Sequence, residues 1–240
     1  MTRPDWAPDQ IDLDLPSPAR VHDFLLGGTH HVPADRRYAE ELTATAPELA
    51  HTVRAQRAFL GRAVRYLVEA GVRQFVDLGS GLPTQGSTHE VAQRLDPASR
   101  VVYVDLDPAA VAHGRAILDA RPDVAMVTAN LCEPAEVLAS RPFRALIRMD
   151  EPVAFLLVGM VSAVPHPEDV VAGYTAAAAP DSHVVLADVA PGPAELAALL
   201  DDLAIVAPGA VPVESWRPDS GAVDAAGGFA AVGRKDDRDG

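Results

Sequence analysis

Two aspartates and a glycine turn carry the clearest chemistry in this 240-residue chain. Asp77 closes an apolar run, and Gly79-Ser80-Gly81 follows almost at once. A second apolar run, Val101 to Val104, ends in Asp105, a little over about 20 residues beyond the glycines. Glycines at such a turn let backbone approach a ligand closely, and the later carboxylate can accept both hydroxyls of a ribose. Leu106 would then lie against an adenine face, with Asn130 and Leu131 after a third apolar run. Asn130 either accepts a hydrogen bond from the adenine amino group or closes its strand as a turn residue. Asp107 precedes Pro108 and reads as a helix cap. Together these residues predict an adenosine-containing cofactor.

Such a site needs strands that end together and helices that cover them. The pattern predicts strands at about 74–78, 101–105, 124–129, 153–159 and 182–188, with helical stretches between. A final pair is expected at 203–207 and 228–232. Alternation of this kind implies a parallel sheet with helices on both faces. Upstream, Ser17-Pro18 starts a helix that Gly27-Gly28 stops, giving a first helix over about 18–26. Pro33 opens a second helix that ends before Pro47, and a third runs from Glu48 to Ala70.

The type of cofactor follows from what the turn lacks. A dinucleotide loop wants a third glycine for a pyrophosphate, and Thr84 stands in that place. An acid two residues ahead of the first glycine suits a ligand that carries an ammonium group. QFVDLGSGLPT resembles motif I of class I S-adenosylmethionine (SAM) methyltransferases, and YVDLDP resembles their acidic second motif. Two longer segments narrow the resemblance: SPARVHDFLLGGTHHVPADRRYAEEL at 17–42 and RAQRAFLGRAVRYLVEAGVRQFVDLGSGLPT at 54–84. They are similar to the actinobacterial SAM-dependent methyltransferase family once known only as a domain of unknown function. WRPD at 216–219 and AVGRK at 231–235 extend the likeness nearly to the end.

That resemblance implies a Rossmann-like class I methyltransferase fold: a seven-stranded, mostly parallel sheet whose last strand is antiparallel, behind a helical N-terminal cap. It divides the chain into a flexible start (1–16), the cap (17–71), a SAM-binding core (72–235) and a flexible tail (236–240). It also implies that Asp77 approaches the cofactor's ammonium and that Gly79, Ser80 and Gly81 line its methionine portion. Gly27-Gly28 is expected to close over the methionine end, to serve as a helix C-cap, or both. Arg20 is the expected partner of the methionine carboxylate.

Departures from the family pattern touch the substrate side. Thr29-His30-His31-Val32 replaces Lys-Asp-Asn-Phe, Ser162 stands where the family has a histidine after the fourth strand, and Asn130 replaces an aspartate. The stretch between strands five and six, which helps cover the substrate, is short. His30 and His31 are candidate bases, since histidine exchanges protons near neutral pH, and Ser162 is a weaker catalytic candidate. A metal held by His22, His30, His31 and Asp35 is not expected, because adjacent histidines point apart. His89 and His113 read as surface or packing residues.

Composition narrows the classes further. A formal charge of −14 is at odds with a nucleic-acid partner. The basic residues between Arg54 and Arg73 read as a solvated helix face. The single cysteine, Cys132, excludes an internal disulfide framework and fits a reducing cytoplasm. The N-terminus lacks the apolar core of a signal peptide, and Val153 to Val164 is too short to span a bilayer. No membrane partner is expected, and a homodimer stays open.

Three functions fit these residues. The first is methyl transfer from SAM to a small molecule. The second uses SAM alone as substrate: a base removes the α-proton, the aminocarboxypropyl chain cyclises to 1-aminocyclopropane-1-carboxylate, and methylthioadenosine leaves. The third is a SAM-binding protein without catalysis.

Overall fold

The computed structural model describes residues 7–8, 11–219 and 227–236. The ends of the two terminal stretches expected to be flexible, 1–6, 9–10 and 237–240, lie outside the described residues. Along the chain run α1 (Pro18–Leu25), α2 (Pro33–Thr45), α3 (Leu49–Glu69), β1 (Gln74–Leu78), α4 (Thr88–Leu95), β2 (Arg100–Asp105) and α5 (Pro108–Leu118). Then come β3 (Val124–Thr128), α6 (Pro134–Ala139), α7 (Arg141–Leu146), β4 (Ala154–Val158), α8 (Pro167–Ala177) and β5 (His183–Asp188). The chain closes with α9 (Pro193–Ala198), β6 (Ala204–Ile205), β7 (Val211–Pro212) and β8 (Phe229–Arg234).

The strands form one mixed sheet in the order β3-β2-β1-β4-β5-β8-β6, and β7 also pairs with β8. β1 to β5 are parallel, and β8 runs antiparallel to β5. One long strand was expected at 203–207. Two short ones, β6 and β7, take its place, separated by Pro208-Gly209. Proline has no N–H to donate, so the pairing with β8 is broken there.

Each central strand is buried on both faces, and its residues alternate between two cores. Phe75, Tyr103 and Leu156 pack under α3, α4 and α5, with Trp216 at the margin. Val76, Val102 and Phe155 face Phe143 of α7, Val170 of α8 and Leu196 of α9 on the other side. Continuous apolar runs suit a parallel sheet covered on both faces. A third, smaller cluster joins Val21, Leu25, Ala39 and Val53, so α1 and α2 rest on the first half of α3. The second half of α3 (Phe59 to Val68) belongs to the sheet layer. One helix therefore carries both the cap and part of the core.

The cap is held by buried polar bonds. Asp35, fully buried, accepts from Arg20 Nε at 2.7 Å, Val32 N at 2.7 Å and Ser17 N at 2.9 Å. Ser17 starts α1 without capping it, because its hydroxyl instead donates to Asp107 at 2.7 Å. Asp107 caps α5 by accepting from Ala109 N, so this bond ties the cap to the core beside Asp105.

Three histidines are enclosed at 2–4% exposure: His89, His113 and His183. His89 bonds the Tyr103 hydroxyl at 2.8 Å, and neither His89 nor His113 lies on the surface. Burial lowers all three pKa values to about 4. An unfolded chain binds these protons as pH falls through about 6.5, and the folded chain only near 4, so stability is lost over that window. The slope reaches about 1.4 kcal/mol per pH unit for each histidine. Asp77 and Asp105 act with opposite sign, since burial raises their pKa values and the fold takes up their protons first. The urea midpoint should hold between pH 8 and 7 and fall steadily from pH 6.5 to 4.5. A flat profile across that range would mean that the imidazoles are hydrated.

Candidate active site

A cavity of about 560 Å³ opens at the carboxyl ends of β1, β2, β3, β4 and β5. In wound α/β sheets this edge is where ligands bind. Helices α1 and α3 roof it, contributing Ala19, His22, Thr52, Gln56 and Arg57.

The floor is the turn after β1. Gly79 and Gly81 have φ of +70° and +61°, which residues with side chains rarely adopt. A Cβ on Gly79 would stand 2.6 Å from the Met160 side chain. The turn is held by Gly79 N and Ser80 N, which both donate to Val104 O, and by Gly81 N, which donates to Asp105 Oδ2 at 2.7 Å. Asp105 Oδ1 accepts from Asp107 N at 2.9 Å. A carboxylate offers about four lone-pair sites, so accepting capacity remains beyond these two bonds. Asp77 accepts from Thr88 Oγ1 at 2.6 Å. Burial pushes both carboxyls above the usual range, which a cationic or hydroxyl-rich ligand would relieve.

The remaining predicted residues fall into two groups. Leu106, 62% exposed, stands at the cavity rim, and Leu131 and Asn130 line the wall. Asn130 Oδ1 accepts from Cys132 N at 3.0 Å, which is the turn-closing arrangement. The others lie outside the lining. Arg20 is spent on Asp35 and the Leu15 carbonyl, so its guanidinium is held inside the cap. Gly27, with φ of +81°, ends α1, while a Cβ on Gly28 would meet the Asp23 carboxylate at 2.2 Å. This pair is a helix stop that fits tightly inside the cap, away from the cavity.

His30 and His31 border a separate hollow with Thr29, Val32, His113 and Ile117. His30 Nδ1 lies 2.9 Å from His113 Nε2, and the Asp23 carboxylate accepts from His30 N at 2.7 Å. No residue is shared between the two linings. The loop turns away because Asp23 and Asp35 hold its backbone amides. Ser162 is also absent from the lining, but it donates through its N and its Oγ to Asp188 Oδ2, both at 2.9 Å.

Several lining residues were not singled out for the cofactor site from the sequence, among them Arg57, His22, Gln56 and Asp188. Arg57 makes no hydrogen bond or ion pair among the described residues, and its charge lowers the pKa of His22 and Asp77. Its position three residues after Arg54, on the face of α3 that also offers Thr52, Val53 and Gln56, was the available signal. His22 is neutral at pH 7, its pKa brought down to about 4 mainly by burial. Gln56 and Asp188 line the cavity as well.

A glycine floor, paired acids and a single free guanidinium suit a ligand that has a ribose, an ammonium and a carboxylate. The S-adenosyl methyltransferase family matches residues 4–196. The structure is similar to that of a candidate methyltransferase from Thermobifida fusca, with a TM-score of 0.88 and 36% identity over 97% of this chain and 100% of that one. It is also similar to a DUF574 family protein from Streptomyces avermitilis, with a TM-score of 0.82 and 30% identity over 94% and 100%. The magnesium protoporphyrin IX methyltransferase of Synechocystis, solved with SAM, shares the fold at 12% identity, with a TM-score of 0.52 over 94% and 97%. No curated protein matches the chain. The match over most of its length shows that this chain belongs to the S-adenosyl methyltransferase family, with SAM as its cofactor.

Proposed function

We propose that the protein transfers the methyl group of SAM to a small molecule bound in the same cavity. The observation that carries this reading is the cavity itself. At about 560 Å³ it lies within the roughly 300–1,000 Å³ typical of small-ligand sites, and it is roofed by helices. The net charge of −14 also disfavours a nucleic acid.

When bound, SAM supplies a methyl group activated by its sulfonium. The chain's own residues bind and orient. Asp105 accepts the ribose hydroxyls while it anchors Gly81. Asp77 faces the ammonium, and Arg57, in place of Arg20, faces the carboxylate. Leu106 and Leu131 flank the adenine. Ser80 and the two glycines leave room for the methionine portion. Helices α1 and α3 exclude water, so catalysis rests on positioning in a dry site.

The cyclisation reading drew its support from His30 and His31, which border the other hollow. Methyl transfer needs neither. Incubation with SAM alone, followed by mass spectrometry, separates the readings. Intact SAM is expected, with S-adenosylhomocysteine forming only when an acceptor is added. Methylthioadenosine with 1-aminocyclopropane-1-carboxylate would overturn methyl transfer. Tight SAM binding with no turnover on any acceptor would favour the non-catalytic reading.

A further inference from the structure

Asp188 is a buried carboxylate that the proposed cofactor contacts do not use. It ends β5 and lines the cavity at 3% exposure. Oδ2 accepts from Ser162 N and Oγ, and Oδ1 accepts from Val189 N at 2.7 Å. Three bonds fix the carboxylate and leave about one lone-pair site. Among the described residues it has no ion pair, and a buried charge without a partner is costly.

Its place in the sheet separates it from the cofactor residues. Asp105 ends β2 and Asp77 lies on β1, whereas β5 is two strands beyond β1, across β4. Two strand spacings put Asp188 about 10 Å further along the sheet edge. The charges agree with that division. The described lining carries four carboxylates, Asp77, Asp105, Asp107 and Asp188, against Arg57, while His22 stays neutral. Four formal negative charges against one leave three in excess. SAM, with an ammonium, a sulfonium and a carboxylate, brings one net positive charge, so two formal negative charges are still unmatched. Asp107 is engaged by Ser17 Oγ and Ala109 N at the start of α5, which leaves Asp188 as the one beyond the cofactor residues.

The surroundings of Asp188 are otherwise apolar or accepting. Val53, Met160, Val164 and Val189 form the wall. Gln56 gives its Nε2 to Gly227 O at 3.1 Å, which leaves its Oε1 beside Gly159 at the end of β4. Among the described residues, that corner offers hydrogen-bond acceptors and no second cation.

We propose that Asp188 docks the amino group of the methyl acceptor, so that the substrate is a small amine with an apolar body. This inference rests on the methyl-transfer reading. The ammonium gives one proton to bulk water as the acceptor enters, and the neutral amine keeps an N–H to donate to Asp188. The nitrogen lone pair then forms the N–C bond as the S–C bond breaks, with that bond's electron pair staying on sulfur. Atoms and charge balance without another reactant.

The test uses protein saturated with S-adenosylhomocysteine, titrated calorimetrically with phenethylamine, cyclohexylmethylamine and butylamine. Each amine is compared with the alcohol of the same skeleton. At least one amine should bind tenfold or more tightly than its alcohol, and Asp188→Asn should remove that preference, a loss of about ten- to a hundredfold. Affinity for S-adenosylhomocysteine should change less than about threefold, since the variant keeps the cofactor contacts. Equal binding of amines and alcohols would overturn the proposal, as would a preference that survives in Asp188→Asn. A comparable loss of S-adenosylhomocysteine affinity would assign Asp188 to the cofactor and also overturn it. If Asp188→Asn does not fold, the amine–alcohol contrast in the unaltered protein decides. Failure of S-adenosylhomocysteine to bind at all would defeat the methyl-transfer reading instead.

Discussion

Gly79→Val is expected to abolish SAM binding in a protein that still folds. Gly79 has φ of +70°, and a Cβ there would stand 2.6–2.8 Å from three atoms of the Met160 side chain. A β-branched residue at positive φ costs on the order of 1–3 kcal/mol of strain. The larger effect is steric. Met160 lines the same cavity, so the displaced thioether has the ligand's space as its outlet. The central sheet buries most of the apolar core and should keep its circular dichroism and a cooperative transition. Gly81→Ala is the built-in contrast. Its added Cβ would come no closer than 3.7 Å to Ala19, so only backbone strain of about 1 kcal/mol applies, and affinity should fall less than about tenfold. Normal SAM binding by Gly79→Val, measured by calorimetry, would mean that the cofactor does not cross this turn.

Asp105→Ala should weaken SAM binding by about 10²–10⁴-fold. Two hydroxyl bonds to a carboxylate are lost, each about 1.5–3 kcal/mol. The variant also releases Gly81 N and Asp107 N, so the turn loses one of its anchors. Stability without cofactor should change little by comparison. Burial already holds the Asp105 carboxyl above its usual pKa, so its charged form is costly to keep in the empty site. Asp105→Asn retains one accepting oxygen and should fall between the two. An unchanged dissociation constant in a folded Asp105→Ala protein would remove this residue from the site.

The two effects differ in kind, which makes them useful together. The glycine variant acts by volume and backbone angle, and neither salt nor pH should rescue it. The aspartate variant acts mainly through hydrogen bonds to the ribose, so ligands without ribose hydroxyls should lose less affinity than SAM, and only through the loosened turn.

What the sequence determined by itself is the unit from Gln74 to Asp105 and its cofactor. Apolar runs, a glycine turn and a strand-ending acid are local features. Their meaning depends on backbone angles and on side-chain alternation with a period of two, both set by neighbouring residues. The observed β1 and β2 lie within a residue of their expected limits for that reason. The helix starts at Pro18 and Pro33 were equally local, because proline at a first helical position needs no partner elsewhere.

Only the tertiary structure decided which polar side chains reach the cavity. Arg20 and Arg57 are both arginines in family-like motifs, yet one is consumed by Asp35 across a helix pair while the other remains free at the roof. His30 and His31 looked suited to chemistry, but Asp23 and Asp35 bind their loop and His113 meets it from α5. Asp188 ends an expected strand, but what it does there depends on β5 lying beside β4 and on Ser162 returning to it. Contacts of this kind join residues tens of positions apart. They are set by how helices cross and strands order, for which no local periodicity carries the information.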